Sequence, residues 1–113
     1  MRRILENEKI KGFLASQYFS NPFPFKYLKF TEVFLEDQGQ GIGKQMVEEF
    51  TASLQREAVA GILYNSIEGP ARDVYKNAGW VELENHPGWF AFNLPKNLDD
   101  DSLNEAVMLL QII

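Results

Sequence analysis

The 113-residue chain, 45% hydrophobic and 24% charged, is long enough for one hydrophobic core, too short for a separate substrate domain, and unlike a disordered or low-complexity protein. Having no cysteine, it cannot use disulfides, thiolate metal sites or a cysteine nucleophile. A net charge of −5 weighs against nucleic acid as the main partner and suits a cationic small molecule or basic peptide, though acidic surfaces also serve solubility alone.

Met1-Arg2-Arg3 could open a signal peptide, but Glu6, Asn7, Glu8 and Lys9 occupy the place of its apolar stretch. No run of about 18 apolar residues follows. The expectation is a cytoplasmic protein with no membrane partner.

Arg3 to Glu6 and Ile10 to Phe19 flank a polar Asn7-Glu8-Lys9 turn and read as a β-hairpin. Asn21-Pro22-Phe23-Pro24 must be a loop, because each proline removes a ladder donor. Tyr27 to Leu35 resumes as an aromatic and β-branched strand. After the glycines the period changes: Ile42, Met46, Phe50 and Leu54, with Val47 beside them, form the apolar stripe of a helix. Ala60 to Ile67 has the density of a buried strand. Gly69-Pro70 opens a second helix, and Gly79 is placed to end it. Val81 to Leu83 and Trp89 to Leu94 close the sheet around Asn85-His86-Pro87-Gly88. Asp99-Asp100-Asp101-Ser102 suits a helix N-terminus, predicting a C-terminal helix over 102–113 through Leu103, Val107 and Leu110. Residues 1–113 thus read as a single mixed α/β (α+β) domain.

The segment Gln38-Gly39-Gln40-Gly41-Ile42-Gly43 joins a strand to a helix. A helix N-terminus leaves backbone N–H groups unpaired, and glycines let a phosphate approach them; the plainer alternative is a tight turn that happens to contain glycine. A Walker A loop would need glycine at Gln38 and a hydroxyl residue at Gln45. A dinucleotide fingerprint would need its third glycine at Lys44 or at Met46. Both patterns fail.

Gln38, Gly41 and Gly43 fit the pattern Gln or Arg, x, x, Gly, x, Gly or Ala, and Val33 stands five residues upstream as the hydrophobic residue of that pattern. Downstream, Ala71, Val74, Tyr75, Gly79 and Trp80 fit a second pattern, A-x-x-L-Y-x-x-x-G-F. In these two motifs the chain resembles the GNAT superfamily of N-acyltransferases over Ile10 to Leu94. Leu35 replaces a proline common in relatives, and Glu68 replaces an asparagine. The match begins at the family's second strand, so the first strand and two helices that normally form one wall of the acceptor site have no counterpart.

The resemblance implies a mostly antiparallel sheet split between the Tyr27 to Leu35 and Ala60 to Ile67 strands, with flanking helices. Acetyl-CoA, or a close acyl-CoA, would lie in that split. Backbone groups of Val33 and Leu35 would pair with the pantetheine amides, and the N–H groups of Gln38, Gly39, Gln40, Gly41, Ile42, Gly43 and Lys44 would hold the pyrophosphate. Lys44 either adds charge complementarity or is a solvated helix residue. An N–H near Val33 or Phe34 would stabilise the oxyanion. Tyr75 matches the family's tyrosine and would protonate the leaving sulfur; otherwise it is a core aromatic beside Ala71, Val74 and Ala78. Strict alternation puts Glu32 with Leu28, Phe30 and Phe34, an apolar setting that suits a general base, unless a β-bulge turns it outward.

His86, beside Pro87 and Gly88, reads as an exposed structural residue of a turn. The Asp99 to Asp101 run lacks the spacing of a calcium loop, and no metal is expected. Tyr18, Phe19, Phe23, Phe25 and Tyr27 could line an acceptor pocket, form a subunit contact or join the core. The Leu103 to Ile113 tail is expected to cover the sheet within one chain or across a homodimer, of which the dimer is favoured. The leading expectation is an acyl-CoA-dependent N-acyltransferase acting on a primary amine of a small molecule or a lysine side chain. The alternatives are a CoA-binding module without catalysis and a structural or interaction domain.

Overall fold

A computed structural model describes the backbone of residues 2–6, 9–33, 41–65 and 70–113, and the side chains of 14–29, 41–65 and 71–113. The elements follow as β1 (Arg2–Glu6), β2 (Lys9–Phe19), β3 (Phe25–Val33), α1 (Ile42–Glu57), β4 (Ala60–Tyr64), α2 (Pro70–Asn77), β5 (Val81–Glu82), β6 (Trp89–Phe92) and α3 (Asp100–Ile112). The strands form one sheet in the order β1-β2-β3-β4-β6-β5. Every neighbouring pair is antiparallel except β3 and β4, which are parallel. The expected hairpin, loop and strand–helix alternation are all present. β3 starts two residues earlier than expected, at Phe25, and β4 ends at Tyr64, while Ile67 lies outside the described residues.

Helix α1 buries Ile42, Met46, Val47, Phe50 and Leu54 on one face of the sheet, as its four-residue spacing requires. Ile42, Met46, Phe50 and Leu54 pack with Leu14, Leu28, Leu63, Trp80 and Phe90. Where α1 ends, Ala58 takes a left-handed conformation, and the bonds Ala58 N–H to Gln55 O and Val59 N–H to Leu54 O satisfy two terminal carbonyls. The buried hydroxyl of Thr51 donates to Val47 O at 2.7 Å and accepts from the Trp80 indole Nε1 at 2.8 Å. This tie lets an indole sit fully buried between helix and sheet without an orphaned N–H.

The other face is covered by α3, through Ala106, Val107 and Leu110 against Phe23, Phe25, Ala60, Ile62 and Trp89. Asp99 caps the helix, its carboxylate accepting from the Ser102 N–H at 2.8 Å. Hydrogen bonds from Ser102 hold that carboxyl below its usual range. Within one chain, α3 therefore takes the part expected of the tail. The early aromatics divide: Phe23 and Phe25 are core, Phe19 stacks on Phe25 at 5.0 Å, Tyr27 is half-buried, and Tyr18 is exposed.

The β2–β3 register slips between Ala15, which pairs with Phe30, and Ser16, which pairs with Leu28, leaving Lys29 as the extra residue on β3. The alternation that grouped Glu32 with Leu28 crosses this bulge and no longer assigns Glu32 to that face. Glu32 pairs through its backbone with Phe13, and its side chain lies outside the described residues.

Close packing of α1 on β4 depends on Gly61, where an added Cβ would lie 2.5 Å from Leu54 Cδ1 and 2.6 Å from Trp80 Cη2. Gly61→Ala is expected to lower stability by about 1–3 kcal/mol. Urea unfolding followed by circular dichroism reads this directly, and an unchanged midpoint would show that the contact is not constraining.

Candidate functional site

The parallel pairing of β3 with β4 runs only from Phe25↔Ala60 to Leu28↔Leu63. Beyond it, β3 continues to Val33 against β2, whereas β4 stops at Tyr64. The sheet thus opens between its two parallel strands at their carboxyl ends, as the resemblance implies. Because α1 connects these strands, its N-terminus returns to that same end, and Ile42 packs in the cluster that holds Leu28 and Leu63.

That N-terminus suits an anion. Gly41 has φ 76°, a left-handed conformation that side chains disfavour, and a Cβ there would meet nothing within 4 Å. Among the described residues no side chain caps the helix, no acidic residue stands in its first turn, and the first helical bond, Gln45 N–H to Gly41 O, is 3.0 Å long. The N–H groups of Ile42, Gly43 and Lys44 precede that bond, and helix dipole and open backbone together favour negative charge. Lys44 is exposed and lies 3.8 Å from Glu48, a solvated pairing that holds it weakly. Val33 is the last residue of β3, while Phe34, Leu35, Gln38, Gly39 and Gln40 lie outside the described residues.

Tyr75 on α2 belongs to the same face. Its ring packs on the core at 6.1 Å from Phe90, and its hydroxyl is hydrogen-bonded by the Asn65 side chain, one residue past β4. Burial raises the Tyr75 pKa, and the Asn65 bond opposes that rise. The phenol therefore keeps its proton through the neutral range while its oxygen accepts from Asn65. The ring takes the place expected of a core aromatic, while its hydroxyl is held by Asn65.

Asn65 itself is fixed by a closed ring of contacts. Its N–H donates to Gly88 O at 2.8 Å, and its carbonyl accepts from Arg72 Nη2 at 3.2 Å. Arg72 pairs with Glu82 at 3.2 Å and lies 5.4 Å over the Phe90 ring, and Glu82 accepts from the Gly88 N–H at 2.9 Å. The Gly88 N–H, aided by Arg72 and Lys76, holds the Glu82 carboxyl below its usual range. A lone asparagine after a strand carries no sequence signal for such a role.

On the opposite face, at the same end of the sheet, Tyr64 and Trp89 lie 4.9 Å apart between ring centroids and Tyr27 and Trp89 6.3 Å apart. With Leu110 and Gln111 they line a cleft of about 380 Å³. Alternation puts Tyr27 and Tyr64 on the face of Phe25 and Ile62, but only the assembled sheet brings them to Trp89. His86 is half-buried rather than exposed, its Nε2 2.7 Å from Asn104 Oδ1, and it ties the β5–β6 turn to α3. No three His, Cys, Asp or Glu residues among the described residues are grouped to hold a metal.

No family model matches the sequence, and no curated protein matches it. Solved structures do. The ribosomal-protein-S18-alanine N-acetyltransferase from Escherichia coli is similar with a TM-score of 0.65 and 18% identity, over 86% of this chain and 72% of that one. The NatC complex bound to Gag peptide and CoA gives 0.60 and 21%, over 76% of this chain and 62% of that one. Tetrahymena GCN5 gives 0.54 and 16%, over 86% and 69%. With its six-stranded mixed sheet opened between two parallel strands and helices on both faces, this chain has the fold of the GNAT N-acetyltransferases.

Proposed function

We propose that the chain is an acyl-CoA-dependent N-acyltransferase that moves an acetyl group directly from acetyl-CoA to a primary amine. The observation that supports this reading is that one core cluster holds both Ile42, the first residue of a helix that starts at a left-handed glycine, and Tyr75, whose phenol is oriented by Asn65, on the α1 face of a sheet whose β3–β4 pairing ends at Leu28↔Leu63. The solved structure of NatC with CoA supports the choice of donor.

In this reading the backbone N–H groups of Gly41, Ile42, Gly43 and Lys44 bind the pyrophosphate, continuing the cradle begun by Gln38, Gly39 and Gln40. Backbone groups of Val33 and Leu35 pair with the pantetheine amides, and an N–H at Val33 or Phe34 holds the developing oxyanion. The unprotonated amine attacks the thioester carbonyl, so that a C–N bond forms and the C–S bond breaks. Tyr75 gives its hydroxyl proton to the departing sulfur. The proton lost by the amine passes to Glu32, which stands on the stretch of β3 that borders the opening, or to water. No helix among the described residues is long and apolar enough to cross a membrane.

Calorimetric titration is expected to show acetyl-CoA binding, and Gly41→Val, which forces a β-branched residue into a left-handed conformation, to weaken it about tenfold. No binding at millimolar ligand would remove both the transferase and the CoA-module readings. Tyr75→Phe is expected to bind acetyl-CoA unchanged while kcat in a thiol-release assay falls about 100-fold; an unaltered kcat would take Tyr75 out of the mechanism. Asn65→Leu, by removing the bond that favours the phenolate, is expected to move the Tyr75 pKa further up. Ultraviolet titration, with Tyr75→Phe as the difference control, measures that shift, and a downward move would reverse the assigned roles.

A further inference from the structure

The cleft on the α3 face is lined by Tyr27 and Tyr64, which flank the last β3–β4 pair, Leu28↔Leu63, and so lies at the opening end of the sheet on the face opposite Tyr75 and α1. Three aromatic rings wall it, and among the described residues no charged side chain lines it. Such faces attract cations through the ring quadrupole, most strongly where water is partly excluded. Trp89 is buried to 6% exposure, Tyr27 is half-buried, and Tyr64 is open at 49%, giving a sheltered wall with one accessible edge. The net charge of −5 concentrates cations around the protein.

We propose that the Tyr27–Tyr64–Trp89 cleft is the acceptor subsite, and that it selects amines bearing a second, cationic nitrogen. The proposal rests on the transferase reading above. Its chemistry follows from what a π face prefers: a nitrogen held there stays protonated and so cannot be the nucleophile. The acceptor must therefore carry two nitrogens, one ammonium held in the cleft and one primary amine presented at the opening. Diamines and lysine-like amines with a second positive group meet that requirement. A simple alkylamine does not.

Thiol release should be compared for 1,5-diaminopentane and hexylamine, which have the same chain length but differ in whether the far end is charged. A merely hydrophobic cleft favours hexylamine. The proposal expects the diamine to have a KM about fivefold lower or better, with similar kcat. Tyr64→Leu should erase that preference by raising the diamine KM alone, and Tyr64→Phe, which keeps the π face, should restore it. Equal or inverted preference, or an unmoved Tyr64→Leu, overturns the proposal.

A second readout needs no turnover. Choline should change the tryptophan fluorescence at lower concentration than its neutral isostere 3,3-dimethylbutan-1-ol, and Trp89→Phe should abolish the change, since Trp80 lies in the other core. If this titration succeeds while no amine accelerates thiol release, the transferase reading fails and takes the acceptor role with it, leaving a cation site. If amines react but the cation titration shows no preference, the cleft proposal fails alone.

Discussion

Two parallel strands joined, among the described residues, by four residue pairs set the terms for the rest of this molecule. Parallel neighbours need a crossover, and here the crossover contains α1, whose start must come back to the carboxyl ends of the strands it joins. The strands part at that same end, so among the described residues the β3 edge past Leu28 has no β4 partner just where α1 begins. Backbone donors and acceptors of this kind demand water or a ligand. An extended chain of amides ending in a pyrophosphate satisfies both sets at once, which is why fold and proposed donor fit each other.

The two faces of the sheet are built by different means. On the α1 face, close approach is the governing factor: Gly61 admits Leu54 and Trp80, and Thr51 completes the hydrogen bonding of the buried indole. On the α3 face, aromatic and aliphatic side chains from β3, β4 and β6 receive a short helix fixed at its start by Asp99 and alongside by the His86 contact to Asn104. The former holds the groups proposed for the donor, and the latter shapes the cleft proposed for the acceptor.

Much of this was legible from local pattern. The four-residue spacing from Ile42 to Leu54, the glycines before it, the Ala71 to Trp80 stretch and the Asp99 cap each state their structure within a few residues, because helix periodicity and capping are local properties. Glu32 was harder, since the face of a strand residue depends on register, and the bulge at Lys29 is set by pairing with β2 and not by β3 itself. Asn65, Tyr64 and Trp89 were missed as a group. Their importance comes from contacts as far apart in sequence as Tyr27 and Trp89, 62 residues. No periodic or motif signal spans such distances.

The β5–β6 turn supplies the Gly88 carbonyl that fixes Asn65, and its next residue is Trp89, the central ring of the cleft. A single short turn is thus a common mount for a partner of the phenol on one side of the sheet and for an aromatic wall on the other. Shifting that turn displaces both together, so on the proposed roles acid strength and choice of amine are linked variables. On those same proposed roles, a change of acceptor achieved by altering this turn would carry a change in the proton-transfer step with it, and compensation would fall to Arg72 and Glu82, which close the ring.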